Sequence, residues 1–319
     1  MSLRRILIFA AVFLCLALIY LFMETPFGKR GQKQAPKPVF PQFKMDNVAV
    51  INVSGPENGD FVLSRNKKGW TVKTGKVRYP AATDAVEKLL DAIAEMKAET
   101  IVSRNPKNFS SFEVDEKTGI SVSVLDADKN RLASLVLGKS GPDLFSTYVR
   151  NTASNRVVLC SGMLKTDFGR DLNGWRDKTV YDFNSRDITE YIVSDNDTLH
   201  LKKENGTWQV LSPEPFSPVP EKVDEMTKAF ATLQAAAFSD DNETKCGLIP
   251  PVNTVKAVLA DNSEQVLVIG KDKNAFQFFA KKKDGNTIYI IEKHIIDAMC
   301  PAPGSLKPAA GAGDNETAG

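Results

Sequence analysis

The sequence predicts an α+β protein: two tandem copies of a mainly antiparallel β-sheet module with covering helices, after one N-terminal transmembrane helix. Three observations carry this. An uncharged apolar run fills residues 6–22. Two hairpin patterns of alternating apolar residues each end on a tryptophan, Trp70 and Trp208, 138 positions apart. Each hairpin is followed at nearly the same offset by a helical apolar pattern led in by a proline, Pro80 or Pro218.

The first element is ILIFAAVFLCLALIYLF, from Ile6 to Phe22, behind Arg4 and Arg5. Seventeen helical residues reach about 25 Å, the short end of what a bilayer core of roughly 30 Å requires. A cleaved signal peptide would need small residues after the run, whereas Tyr20, Leu21, Phe22 and Met23 are large. A buried soluble helix is the third reading. The expectation is therefore a cytoplasmic stub and anchor over 1–23. Lys and Arg flank the run on both sides, with Lys29, Arg30, Lys33 and Lys37 downstream, so a literal charge count favours a cytoplasmic body. Residues 24–44, with Pro26, Pro36, Pro38 and Pro41, read as a Pro-rich basic stalk.

Copy one is expected over 45–182. FVLSRNKKGWTV (61–72) reads as a hairpin, and Ala85, Val86, Leu89, Leu90, Ile93 and Met96 fall on one helical face with Thr83 or Asp84 as N-cap. ISVSVLDADKNRLASLVLGK (120–139) is a strand, an Asp/Asn-rich turn and a second strand. Strands at 147–149 and 157–159 and a short helix near 163–168 complete it. The junction is LNGWRDKTVYDF (172–183). Copy two, 183–303, repeats the plan. LHLKKENGTWQV (199–210) turns at Asn205-Gly206, and Val223, Met226, Phe230 and Leu233 mark the helix. TVKAVLADNSEQVLVIGK (254–271) gives two strands, residues 277–280 and 288–291 two more, and 293–299 a closing helix. Residues 304–319 read as a disordered low-complexity tail.

Hairpins ending in Trp, Pro-led helices, CGLIPP (246–251), strands closing on Gly-Lys, and WRDK (175–178) before a new strand together resemble the family catalogued as domain of unknown function 4340, over roughly 45–300. Copy one departs from that pattern, showing SFEVDEKTGI (111–120) where copy two has CGLIPP. The resemblance implies a membrane-tethered envelope protein that accompanies an ABC-type export system of the kind associated with gliding motility. It supplies no catalytic residues. It also supports an outward-facing body on the inner membrane, in the periplasm or cell exterior.

Composition narrows the function classes. The chain has 41 Lys and Arg against 39 Asp and Glu, a net +2. Residues 1–44 hold seven basic side chains against Glu24, +6, so 45–319 carry −4. A mildly acidic body argues against a nucleic-acid partner. His200 and His294 stand without HExxH or paired cysteines, so no metal site is expected. Gly138-Lys139-Ser140-Gly141 mimics a phosphate loop, but Ala133 replaces the required glycine and a strand follows. Asp126, Asp128 and Asn130 mimic a calcium loop, yet Arg131 occupies the glycine position. No cofactor, catalytic set or small-molecule substrate is expected.

Trp70 and Trp208 are the expected core anchors of the repeats. Trp175, outside that symmetry, joins Arg176 and Asp177 as the candidate partner contact, with a packing anchor at the junction as the alternative. Cys246 and Cys300 are the candidate disulfide, with independent thiols as the alternative. The expected function is a non-enzymatic, membrane-anchored accessory or scaffold subunit of an ABC-type transport assembly. A glycan- or lipid-binding envelope module is the second reading, and an unrecognised hydrolase a third.

Overall fold

The structure, a computed structural model, describes residues 36–194 and 198–308. The expected anchor, most of the stalk and most of the tail lie outside the described residues. Among those described, no helix is long and apolar enough to cross a membrane. The chain divides into two compact units between Arg176 and Asp177, earlier than the boundary expected after residue 182.

The first unit holds β1 (Lys37–Pro38), β2 (Val50–Gly55), β3 (Gly59–Asn66), β4 (Gly69–Thr74), β5 (Val77–Pro80), α1 (Thr83–Ala94), β6 (Lys97–Ser103) and β7 (Ile120–Leu125). It ends with β8 (Arg131–Ser140), β9 (Ser146–Asn151), β10 (Val157–Ser161), α2 (Leu164–Phe168) and α3 (Leu172–Trp175). The strands make one antiparallel sheet in the order β1-β6-β10-β9-β8-β7-β2-β3-β4-β5. Alternation decides its faces. Ile51, Leu63, Val72, Val124 and Ala133 register on one face and pack with α1 in one buried cluster. Asn52, Ser123 and Ser134 register on the other.

Helix α1 links β5 at one sheet edge to β6 near the opposite edge, so it crosses the sheet. Its apolar residues recur every three or four positions and bury Ala85, Val86, Leu89, Leu90 and Ile93, each large side chain contributing roughly 1.5–3 kcal/mol. The helix starts at Thr83 behind Ala82, which offers no side-chain cap, in place of the expected Thr83 or Asp84 cap.

The second unit holds β11 (Ile188–Ser194), β12 (Leu199–Glu204), β13 (Thr207–Ser212), α4 (Pro220–Ala231), β14 (Ala237–Ser239) and β15 (Asn253–Leu259). There follow β16 (Glu264–Asn274), β17 (Gln277–Lys282), β18 (Ile288–Glu292) and α5 (Lys293–Met299). Its sheet order is β13-β12-β11-β15-β16-β17-β18-β14, again antiparallel throughout. Strand for strand this is β4-β3-β2-β7-β8-β9-β10-β6 of the first sheet. The Asn205-Gly206 turn has φ of 51° and 84°, as the β12–β13 hairpin requires.

The units reach further along the chain than the sequence pattern indicates. Lys37 and Pro38 pair with Ala98 and Lys97, the Val39 N–H donates to the Met96 carbonyl, and Phe40 and Phe43 pack on the first core. Residues 37–43 are thus folded, although the stalk was expected to run to residue 44. In the second unit Val180 donates to Leu233 and Ala235 to Lys178, so residues 178–181 take the place of β1. Lys37-Pro38-Val39-Phe40 and Lys178-Thr179-Val180-Tyr181 open their respective units. The expected tail likewise begins folded: Pro303–Leu306 forms a 3-10 turn that buries Leu306.

Both sheets carry a covering loop on the second face, and it explains the Gly-Lys pairs. A β-carbon on Gly138 would meet the Phe112 carbonyl oxygen at 2.0 Å, and one on Gly270 the Cys246 carbonyl oxygen at 2.2 Å. Only glycine lets the loop lie this close. SFEVDEKTGI and CGLIPP therefore share one geometry despite their different sequences. Glu113 has φ of 57° and Gly247 of 68°. The next residue in each, Val114 or Leu248, donates five residues back, to Phe109 or Glu243.

Candidate functional site

The hairpin tips β8–β9 and β16–β17 present the most exposed phenylalanines among the described residues. Phe145 is 71% exposed and Phe276 74%. Both follow an Asx turn: Asp143 Oδ1 accepts the Phe145 N–H at 3.2 Å, and Asn274 Oδ1 accepts the Phe276 N–H at 2.9 Å. Each phenylalanine carbonyl then accepts a backbone hydrogen bond at 2.7 Å, from Gly162 or Lys293. The repeated bonds fix the backbone of each tip while leaving the ring in water. Ser146 Oγ also donates to Asp143 at 2.6 Å, and this bond holds the exposed Asp143 carboxyl below the usual carboxylate range.

The surroundings of the two tips differ. Leu144 (69% exposed) precedes Phe145, and Met163 (60%) follows Gly162, so three large apolar side chains meet solvent within one stretch of hydrogen-bonded backbone. Phe276 follows Ala275 instead, and the exposed Lys271, Lys273 and Lys293 are its sequence or backbone-bonded neighbours. Composition does not reveal these phenylalanines. The recoverable signal was positional: Asp143-Leu144-Phe145 and Asn274-Ala275-Phe276 sit 131 residues apart, each just before a strand.

The candidate contact residues divide, with Trp175 and Arg176 buried and Asp177 exposed. Trp175 is fully buried in the first core, which places it on the packing side of the two readings. Its carbonyl accepts the Ala82 N–H at 2.9 Å, as the Leu306 carbonyl accepts the Val219 N–H at 2.9 Å. Trp175 therefore has a counterpart, Leu306, and does not stand outside the repeat. Its indole Nε1 is buried without a partner. Arg176 is buried too, its guanidinium 3.9 Å from the Tyr79 ring centroid. Asp177 opens the second unit, accepts the Thr179 N–H at 2.9 Å, and its charge favours the protonated amine of Lys282. Burial is the larger effect and pushes Lys282 down.

Trp70 is buried, with Arg65 5.8 Å from its ring, while Trp208 is half-buried, with Lys203 at 5.5 Å. Cys246 and Cys300 are not bonded to each other: Cys246 is wholly buried in a small cluster with Leu248, Phe279, Ile288 and Ile290, and Cys300 packs against the main core of the second unit.

The remaining polar clusters are structural in geometry. His200 Nε2 lies 2.5 Å from Glu190 Oε1 across β11 and β12, and His294 is exposed on α5. Asp126 caps its hairpin turn by accepting the Asn130 backbone and side-chain amides at 2.7 and 2.9 Å. Arg150 and Lys281 occupy equivalent positions beneath the two covering loops. Arg150 Nε donates to the Val114 carbonyl at 2.8 Å, and Lys281 pairs with Glu243 at 2.6 Å. A cleft of about 240 Å³ in the second unit is lined by Tyr181, Glu264, Lys282 and Asp284 among others, with the Lys282 amine 4.7 Å from the Tyr181 ring. Among the described residues no group of three or more His, Cys, Asp or Glu side chains is placed to hold a metal ion.

The fold and its tips define a protein of antiparallel sheet units that expose aromatic side chains at hairpin turns. The chain belongs to the DUF4340 family, a domain of unknown function, whose model matches residues 70–251, from Trp70 to the last proline of CGLIPP. No curated protein and no solved structure matches it.

Proposed function

We propose that this protein is a non-enzymatic, membrane-anchored envelope protein, an accessory or scaffold subunit of an ABC-type transport assembly, with its body facing the periplasm or cell exterior. The observation that carries the reading is the recurrence of one exposed phenylalanine, on the same Asx turn, in both units. An aromatic ring left in water adds nothing to the stability of its own fold, and it has the chemistry of an interface anchor. Phe276, a single ring among lysines, suits a pocket on a partner protein. The apolar run Ile6–Phe22 supplies the tether, and the family resemblance supplies the transport context.

The test is capture of partners by the detergent-solubilised full-length protein and by its Phe276→Ser variant. Transporter subunits recovered with the wild type and lost with the variant would support the reading. Recovery of no transporter or envelope protein above control would overturn it. A topology reporter after Lys307, active only in the cytoplasm, would overturn the orientation.

A further inference from the structure

We propose that the tip of the first unit, Leu144, Phe145 and Met163, sits in the lipid interface of the membrane that anchors the chain. The inference rests on the anchor reading of Ile6–Phe22. Its own support is the place where the tether joins the fold. Lys37, Ala98, Cys160 and Thr147 lie in register across β1, β6, β10 and β9. Three strand spacings of about 4.8 Å put Lys37 roughly 14 Å from Thr147. Phe145 and Gly162 lie only two residues beyond Thr147 and Cys160 on those strands. Lys37 therefore joins the sheet at the level of the tip, with the chain arriving from the Tyr148 end of the strands, and the length of the tether lets it turn back. Residues 24–36 separate the apolar run from β1, and thirteen residues extend to at most roughly 45 Å.

The chemistry of the tip suits lipid. Leu144, Phe145 and Met163 are each more than half exposed. Leu144 is held at φ of 63°, a left-handed conformation that a leucine rarely adopts, and this turn carries two large apolar side chains side by side. Stretches 139–147 and 161–166 carry Lys139, Lys165 and Asp143 as their charges; Asp143 is committed to Ser146 and the Phe145 N–H, Lys165 pairs with Glu113, and Ser161 donates to Glu99, which leaves Lys139 as the basic group at the tip. Large apolar side chains next to basic ones are what interfacial segments use to bury themselves at the headgroup boundary.

The experiment uses the full-length chain in vesicles of brominated phosphatidylcholine and phosphatidylglycerol. Phe145→Trp and Met163→Trp each add a reporter to the three native tryptophans, and unbrominated vesicles give the reference. Loss of the added emission in the brominated vesicles is the expected result. Co-flotation that survives alkaline extraction reads the anchor separately. Flotation without quenching of either reporter overturns the inference and leaves the anchor standing; that includes the case in which acrylamide protection in native membranes reveals a protein neighbour instead. Absence of flotation overturns both.

Discussion

The carbonyl of Trp175 accepts the backbone N–H of Ala82, the residue that precedes α1, so the last turn of the first unit pins the start of its long helix. Leu306 does the same for Val219 and α4. Each unit is thereby closed by a buried side chain and one backbone hydrogen bond.

Trp175→Ala should destabilise the first unit by about 3–5 kcal/mol and Leu306→Ala the second by about 2–5 kcal/mol, because each leaves a cavity in a packed core. Trp175→Phe should cost clearly less than Trp175→Ala, since it also removes an indole N–H buried without a partner. Urea unfolding of the detergent-solubilised protein measures all three. Equal losses for Trp175→Ala and Trp175→Phe would contradict the packing role.

The closing turns illustrate what a single sequence could reveal. The helix faces, the hairpins and the strand pairs were legible because their apolar residues follow periods of 3.6 or 2. Short edge segments have no such period. Lys37-Pro38 and Lys178-Thr179 pair through backbone groups, so nothing in their side chains announces a strand. Trp175 was misplaced for a related reason: its counterpart is a leucine, and equivalence resides in a carbonyl bond that composition does not record. The exposed phenylalanines were hidden because an apolar residue before a strand normally reads as core.

Gly138→Ala and Gly270→Ala should each cost about 2–4 kcal/mol, because the added carbon falls on a loop carbonyl that cannot retreat without unseating the covering loop. Gly304→Ala, with open space and no positive φ, should stay within about 0.5 kcal/mol of wild type. Thermal unfolding midpoints decide between them. A harmless Gly138→Ala would disprove the close approach.

Glu113 and Gly247 offer a reciprocal test. Glu113→Gly relieves a left-handed backbone and loses only an exposed pairing with Lys165 at 3.4 Å, so stability should rise by up to about 1 kcal/mol. Gly247→Ala should lower it by about 1–3 kcal/mol, since its β-carbon would lie 2.9 Å from the Lys271 nitrogen at a φ of 68°. Opposite signs in denaturant midpoints are the expected outcome.

Burial pushes the Cys160 thiol up from its ordinary 9.0 to about 12, with the nearby Glu99 charge adding to the effect. The native state thus retains its proton where the unfolded chain has lost it. This contribution to stability is complete below pH 9 and declines as pH rises toward 12. Cys160 and Cys246 should resist maleimide at neutral pH until the protein unfolds. Site-resolved mass spectrometry checks this, and rapid native labelling of Cys160 would refute it.

Every described strand belongs to one sheet or the other, and each unit brings its own opening segment and its own closing turn. A gene severed at the codon boundary between Arg176 and Asp177 would therefore cut through neither sheet. Loss, shuffling or further multiplication of a copy is open to such a lineage without repair of a broken β-ladder.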